Sequence, residues 1–194
     1  MMFYVGLDLG QAQDPAAIAV VQREPQSLLV RYLERVALGT PYPMVVERIQ
    51  RIVNDQALRG RCALAADATG VGAPVMDMLR AAGLGCEISA VTITGGEREH
   101  RAGQVRHVPK QDLIANLEML LERGELKIAR RLREAGALVR ELMDMRMTWA
   151  GRSGRPRLGA DGFGEHDDLA IALALACWRA KRPQNGFKPG MLLG

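Results

Sequence analysis

Three cysteines, three histidines and no CxxC pair are all that this 194-residue chain offers toward soft-metal or redox chemistry. Cys62, Cys86 and Cys177 are widely spaced among apolar neighbours. That argues against a zinc site or redox centre and leaves buried free thiols. No segment approaches the ~20 uninterrupted apolar residues of a membrane span. The N-terminus lacks the basic flank and cleavage pattern of a secretory signal. The chain therefore reads as cytosolic, with no membrane partner. It contains no internal repeat and no low-complexity block.

What is present is an ordinary globular composition, 48% hydrophobic and 25% charged, long enough for one domain with a substantial core. We assign residues 1–181 to that domain and 182–194 to a flexible tail. Lys+Arg number 26 against 22 Asp+Glu, a net charge of +4. The excess is clustered: Arg98, Arg101, Arg106 and Lys110, then Lys127, Arg130, Arg131 and Arg133, then Arg152, Arg155 and Arg157. Such clusters suit a polyanion, although basic runs more often form a solvated face.

Hydrophobic periodicity predicts three strands at the start, residues 2–9, 16–22 and 27–36, joined by short turns into an antiparallel meander. After Thr40-Pro41-Tyr42-Pro43 the period changes. Val45, Val46, Ile49, Ile52 and Val53 predict a helix to about Leu58. CALAADA (62–68) reads as a central parallel strand, followed by a helix over 73–82, a strand over 86–94 and a glycine-rich charged loop to Val108. Lys110 then opens an amphipathic helix ending at Gly124, and a further helix covers about 131–143. Residues 144–161 read as a hairpin with a basic tip, and Asp168 begins a last helix, apolar almost all round, to about Lys181. The fold class is α/β: a central mixed sheet, the meander plus parallel strands, flanked by helices.

Acidic residues stand at the edges of three of these apolar segments: Asp8 in FYVGLDLG, Asp67 in RCALAADATG, and Asp167-Asp168 in GFGEHDDLAIALALACW. A carboxylate at the edge of a buried segment must be partnered or must hold a cation. Taken singly, Asp8 suits a strand-end turn, Asp67 an Asx turn, and one of Asp167 and Asp168 a helix N-cap. Taken together, with the Asp67 strand beside the first and the last helix set over the same strand ends, they converge. Convergent carboxylates repel unless a divalent cation lies among them. An oxygen-only ligand set favours Mg2+ or Mn2+ over zinc.

GLDLG on the first strand, the DxTG turn after a buried strand and the late HDDLAxALALA helix resemble the RNase H-like nuclease domain of phage terminase large subunits. VPKQDLIANLEMLLERGELKI and LVRELMDM extend the resemblance, which covers roughly residues 3–180. It implies an endonuclease that cuts double-stranded DNA during genome packaging, in the host cytoplasm. Asp8, Asp67, Asp167 and Asp168 would hold two Mg2+ or Mn2+ ions, with His166 orienting water or phosphate. A terminase ATPase domain or small subunit and the portal would be its partners. The chain carries no GxxxxGK[ST] phosphate loop, so packaging by this chain alone is not expected, and the resemblance implies an excised or a separately encoded nuclease domain. A junction resolvase of the same fold and a non-catalytic DNA-binding module are the competing readings.

Arg101, Arg106, Lys110, Arg152, Arg155 and Arg157 would then flank the acids and bind the DNA backbone. Replacing Arg152, Arg155 and Arg157 together by alanine is expected to weaken duplex binding and flatten its salt dependence. A filter-binding series across salt concentrations checks this, and unchanged affinity would contradict it.

Overall fold

The computed structural model describes residues 1–10, 14–70, 72–150 and 167–183. Strands β1 (Phe3–Asp8), β2 (Ala17–Arg23) and β3 (Leu28–Arg35) form the expected meander. Helix α1 (Tyr42–Val53), β4 (Cys62–Asp67), α2 (Gly72–Ala81) and β5 (Glu87–Thr94) follow. Next come β6 (His100–Ala102), β7 (Val105–Pro109), α3 (Lys110–Glu122), β8 (Leu126–Ile128), α4 (Ala135–Ala150) and α5 (Asp168–Ala180). One eight-stranded sheet runs in the order β6-β7-β5-β4-β1-β2-β3-β8. β4 lies parallel to β1, and β5 and β7 continue that parallel half.

Two cores lie on opposite faces of the sheet. Phe3, Val5, Leu7 and Leu9 point toward α1 and α2, whereas Tyr4, Ala17, Ala19, Ala63 and Ala65 point toward α3, α4 and α5. The period of two along β1 therefore turns Gly6 and Asp8 to the α5 side. Helix α5 is buried along its whole length, as an apolar surface all round requires. It lies across β1, with its N-terminus at the strand's C-terminal end.

Glycine is required where α5 crosses β1. A Cβ on Gly6 would stand 1.9 Å from the carbonyl oxygen of Ala172 and 2.7 Å from the amide nitrogen of Ala176, one helical turn apart. Backbone atoms, unlike a flexible side chain, cannot yield to it.

Several sequence expectations need correction. Helix α1 stops at Val53 rather than near Leu58, because Asp55 turns its side chain to the Ala57 amide (2.8 Å), a local bond that competes with helix. The stretch read as one charged loop holds the β6–β7 hairpin, turning at Gly103 with φ +61. It adds to the sheet edge beside β5, where exposed polar side chains hide the strand pattern. Strand β8, pairing with β3, was not anticipated. Helix α4 begins at Ala135 and runs through Ala150, so the expected first arm of the hairpin (144–150) is helical. The rest of that hairpin lies outside the described residues. Cys62 and Cys177 are buried, but Cys86 is only half-buried.

Gly6→Ala is expected to destabilise the fold by about 3 kcal/mol. Gly136→Ala on α4, where a Cβ meets nothing nearer than Arg140 at 3.7 Å, should be neutral or stabilising by up to about 1 kcal/mol. Urea unfolding of the two variants measures both.

Candidate active site

The C-terminal ends of the parallel strands are the natural place for a site in a sheet of this kind. Asp8 is the last residue of β1 and Asp67 the last of β4, its parallel neighbour. Asp168 is the first residue of α5, and Asp167 occupies its N-cap position. Asp67, Asp168 and Asp167 all come within electrostatic reach of Asp8. Burial, then the charges of Asp67, Asp168 and Asp167, push the Asp8 carboxyl well above the ordinary carboxylate range, while Lys110 opposes them. The expected convergence of these four acids is realised, and Asp168 acts on Asp8 more strongly than Asp167 does.

The acids differ in what secures them. Asp67 Oδ1 accepts the Thr69 amide at 2.8 Å, the Asx turn its sequence allowed. The Thr69 hydroxyl in turn accepts the Ile93 amide of β5 at 2.8 Å. Burial raises the Asp67 carboxyl, although Thr69, the Ile93 amide and Lys110 all favour its ionised form. At the start of α5 the capping expectation changes form. The side chain of Asp167 makes no cap bond. It accepts instead a 2.6 Å bond from Lys110 Nζ. The Ala170 amide, in the first turn of α5, is capped from another helix, by Glu141 Oε2 at 2.8 Å. Asp168 is buried and Asp167 half-buried.

Glu141 and Arg35 are site neighbours that sequence reasoning missed. Glu141 is 5% exposed on α4 and forms an ion pair with Arg35. Arg35 also brings its Nε to 3.7 Å from Asp168 Oδ2. Burial pushes Glu141 up to about 7, against the opposing pull of the Ala170 amide and Arg35. One signal was legible. Leu138 and Met145 mark the buried stripe of α4, and Glu141 lies between them at i+3 and i+7 spacing. A carboxylate on an apolar stripe calls for a partner.

Arg35 could not have been placed without the register. Val20 pairs with Tyr32 and Val21 with Val30, so Arg31 is an extra residue on β3. That bulge reverses the alternation. Leu28 and Val30 before it, and Leu33 after it, all face α5. Arg35 therefore shares this face, in register with Ala17, which itself pairs with Asp8.

The expected phosphate-binding residues divide. Lys110, the first residue of α3, stands among the acids. Arg101 is exposed on β6, its Nε bonded to the Gly103 carbonyl at 2.8 Å. Arg106 on β7 pairs with Glu99 at 3.4 Å, and Glu99 is also held by Arg182 and by Trp178 beyond the middle of α5. His166, Arg152, Arg155 and Arg157 lie outside the described residues.

The carboxylates surround Asp8 without closing into a ready cage: among the described residues, no three His, Cys, Asp or Glu side chains stand in metal-ligating geometry. The donor set nevertheless fits a hard cation. Its atoms are all oxygens, and their ionised forms repel one another where they are most buried. The N-termini of α3 and α5 also face this end of the sheet, and their partial positive charge favours anions there.

No family model matches the chain. It is 27% identical over 187 residues to the terminase large subunit of Thermus virus P23-45, an alignment covering 96% of this chain and 33% of the relative. The chain thus spans about a third of the length of the curated relatives it matches. In fold it resembles the large terminase nuclease of the thermophilic phage G20c, with a TM-score of 0.60, 21% identity, and 90% of this chain and 80% of that one covered. A manganese-soaked, inhibitor-bound terminase nuclease domain of human cytomegalovirus gives a TM-score of 0.59 at 12% identity, over 91% of this chain and 82% of that one. The fold is the RNase H-like fold shared with these terminase nuclease domains, and the curated sequence relatives are terminase large subunits.

Without divalent cation at pH 8, Asp8→Asn is expected to melt a few degrees above the wild type, as about 1 kcal/mol would produce. The sign follows from the raised carboxyl: the ionised form is the disfavoured one in the fold, and asparagine removes it. Manganese is expected to raise the melting temperature of the wild type and to leave that of the variant unchanged, read by differential scanning fluorimetry.

Proposed function

We propose that this chain is a divalent-cation-dependent endonuclease that cuts double-stranded DNA during phage genome packaging. The observation that carries the reading is the meeting of Asp67, Asp168 and Asp167 around Asp8 at the end of β1. The likeness to terminase large subunits and their nuclease domains supports it, and the manganese-soaked relative supports a hard divalent ion.

In this reading Asp8, Asp67 and the Asp167–Asp168 pair would hold Mg2+ or Mn2+, two ions when fully loaded. The ions supply the charge that promotes attack by water on the phosphodiester and departure of the 3′ oxygen. The chain's own residues do the rest. The Thr69 amide fixes the orientation of the Asp67 carboxylate. Lys110 passes from Asp167 to the scissile phosphate as DNA enters, a point charge suited to a non-bridging oxygen. His166, immediately before the acidic pair, orients the water or the phosphate. Arg101 on its exposed strand, with Arg152, Arg155 and Arg157, neutralises the flanking backbone without reading sequence. Arg106, tied to Glu99, supports that edge and reaches DNA only if the pair opens.

Residues 1–181 act as the nuclease domain in the host cytoplasm, and Arg182, paired with Glu99 and packed on Trp178, anchors the start of the 182–194 tail to it. An ATPase domain, a small subunit and the portal complete the packaging machine. Among the described residues no helix is long and apolar enough to cross a membrane.

Supercoiled plasmid incubated with manganese or magnesium should be nicked and then linearised, and a chelator should stop the reaction. Asp67→Asn is expected to lower the rate on the order of 100-fold. Equal cleavage by the variant would contradict the assignment, and preference for a four-way junction over linear duplex would favour a resolvase.

A further inference from the structure

A cation site built from carboxylates works only if those carboxylates are not already neutralised by the protein. Arg35 poses that problem here. Its guanidinium stands between two acids: it is paired with Glu141, and its Nε is 3.7 Å from Asp168 Oδ2. That nitrogen is buried and has no hydrogen-bond acceptor among the described residues. The distance to Asp168 exceeds hydrogen-bonding range but lies within ion-pairing range. A small rotation of the side chain would bring the two together.

We propose that Glu141 is a positioning residue that acts through Arg35: it holds the guanidinium back and so preserves the charge of Asp168 for the divalent cation. This rests on the nuclease reading above. Three observations converge on it. Glu141 is the acid nearer to Arg35, and at 5% exposure it has little water to turn to. Its second oxygen accepts the Ala170 amide at 2.8 Å, which ties the carboxylate to the same helical turn that carries Asp168. The Arg31 bulge in β3 is what turns Arg35 to this face at all. One carboxylate thereby sets the start of α5 and the position of the competing cation together. Arg35 still serves the site, since a positive charge held nearby offsets the repulsion between Asp168 and Asp8 without occupying the ligand oxygens.

Glutamine at 141 keeps an acceptor for the Ala170 amide but releases the guanidinium. Arg35 then closes on Asp168 and competes with the metal. Removing Arg35 as well takes away the competitor. The full chain, at pH 8, is titrated with manganese while its melting temperature is followed. Glu141→Gln is expected to raise the half-saturating manganese concentration about tenfold, and the double variant Arg35→Met/Glu141→Gln to bring it back to within about threefold of wild type.

A half-saturating concentration unchanged in Glu141→Gln would overturn the proposal. So would a double variant as weak as the single one, because Glu141 would then act as a cap or a ligand in its own right. Should Glu141→Gln fail to fold, the double variant, which buries no unpaired guanidinium, decides alone: wild-type-like manganese binding supports the proposal and weakened binding overturns it. A wild type that manganese does not stabilise would overturn the nuclease reading itself, a result distinct from either of these.

Discussion

The close approach of α5 to β1 at Gly6 is the constraint on which the rest depends. Backbone atoms of Ala172 and Ala176 occupy the space a side chain would need, so the helix rides directly on the strand. Because α5 runs opposite to β1, this contact carries the helix start to the strand end. Asp8 lies two residues beyond Gly6, and Asp168 lies four residues before Ala172. At 3.3 Å per strand residue and 1.5 Å per helical residue, both advance by about 6 Å toward the same point. A bulkier residue at position 6 would lift the helix and open the acid cluster along with the core.

Electrostatic strain is the consequence. Asp67, Asp167 and Asp168 meet around Asp8, where burial penalises the charge of Asp8 and Asp67, and the fold opposes this with a set of modest countercharges. Lys110 pairs with Asp167, Arg35 stands near Asp168, and the amide ends of α3 and α5 face the cluster. None of these neutralises Asp8 completely, as its raised carboxyl shows. A fold selected for stability alone would have replaced such acids with well-packed apolar residues. Their retention is understandable if a cation completes the arrangement, as the proposed function requires.

Much of this was legible in the sequence, for reasons that can be named. The meander, the central strand CALAAD and the almost wholly apolar α5 follow from periodicity, which is strong wherever an element is buried on two sides. The convergence of Asp8, Asp67 and the Asp167–Asp168 pair followed from placing each at an element end. The β6–β7 hairpin was hidden because edge strands carry polar residues on exposed faces, and β8 because three residues make too short a pattern. Arg35 was beyond reach: its face depends on a one-residue bulge at Arg31, and a single insertion reverses every side chain after it. Glu141 was an available signal, an acid on the stripe between Leu138 and Met145, and it was overlooked.

The central claim is that β1, β4 and α5 together form one cation site. Anomalous diffraction at the manganese edge from crystals soaked in manganese tests it most directly. The account predicts anomalous density between the carboxylates of Asp8 and Asp67 and the start of α5, with Lys110 drawn away from Asp167. Anomalous density only elsewhere on the protein, or an unchanged Lys110–Asp167 pair with nothing bound beside Asp8, would contradict it.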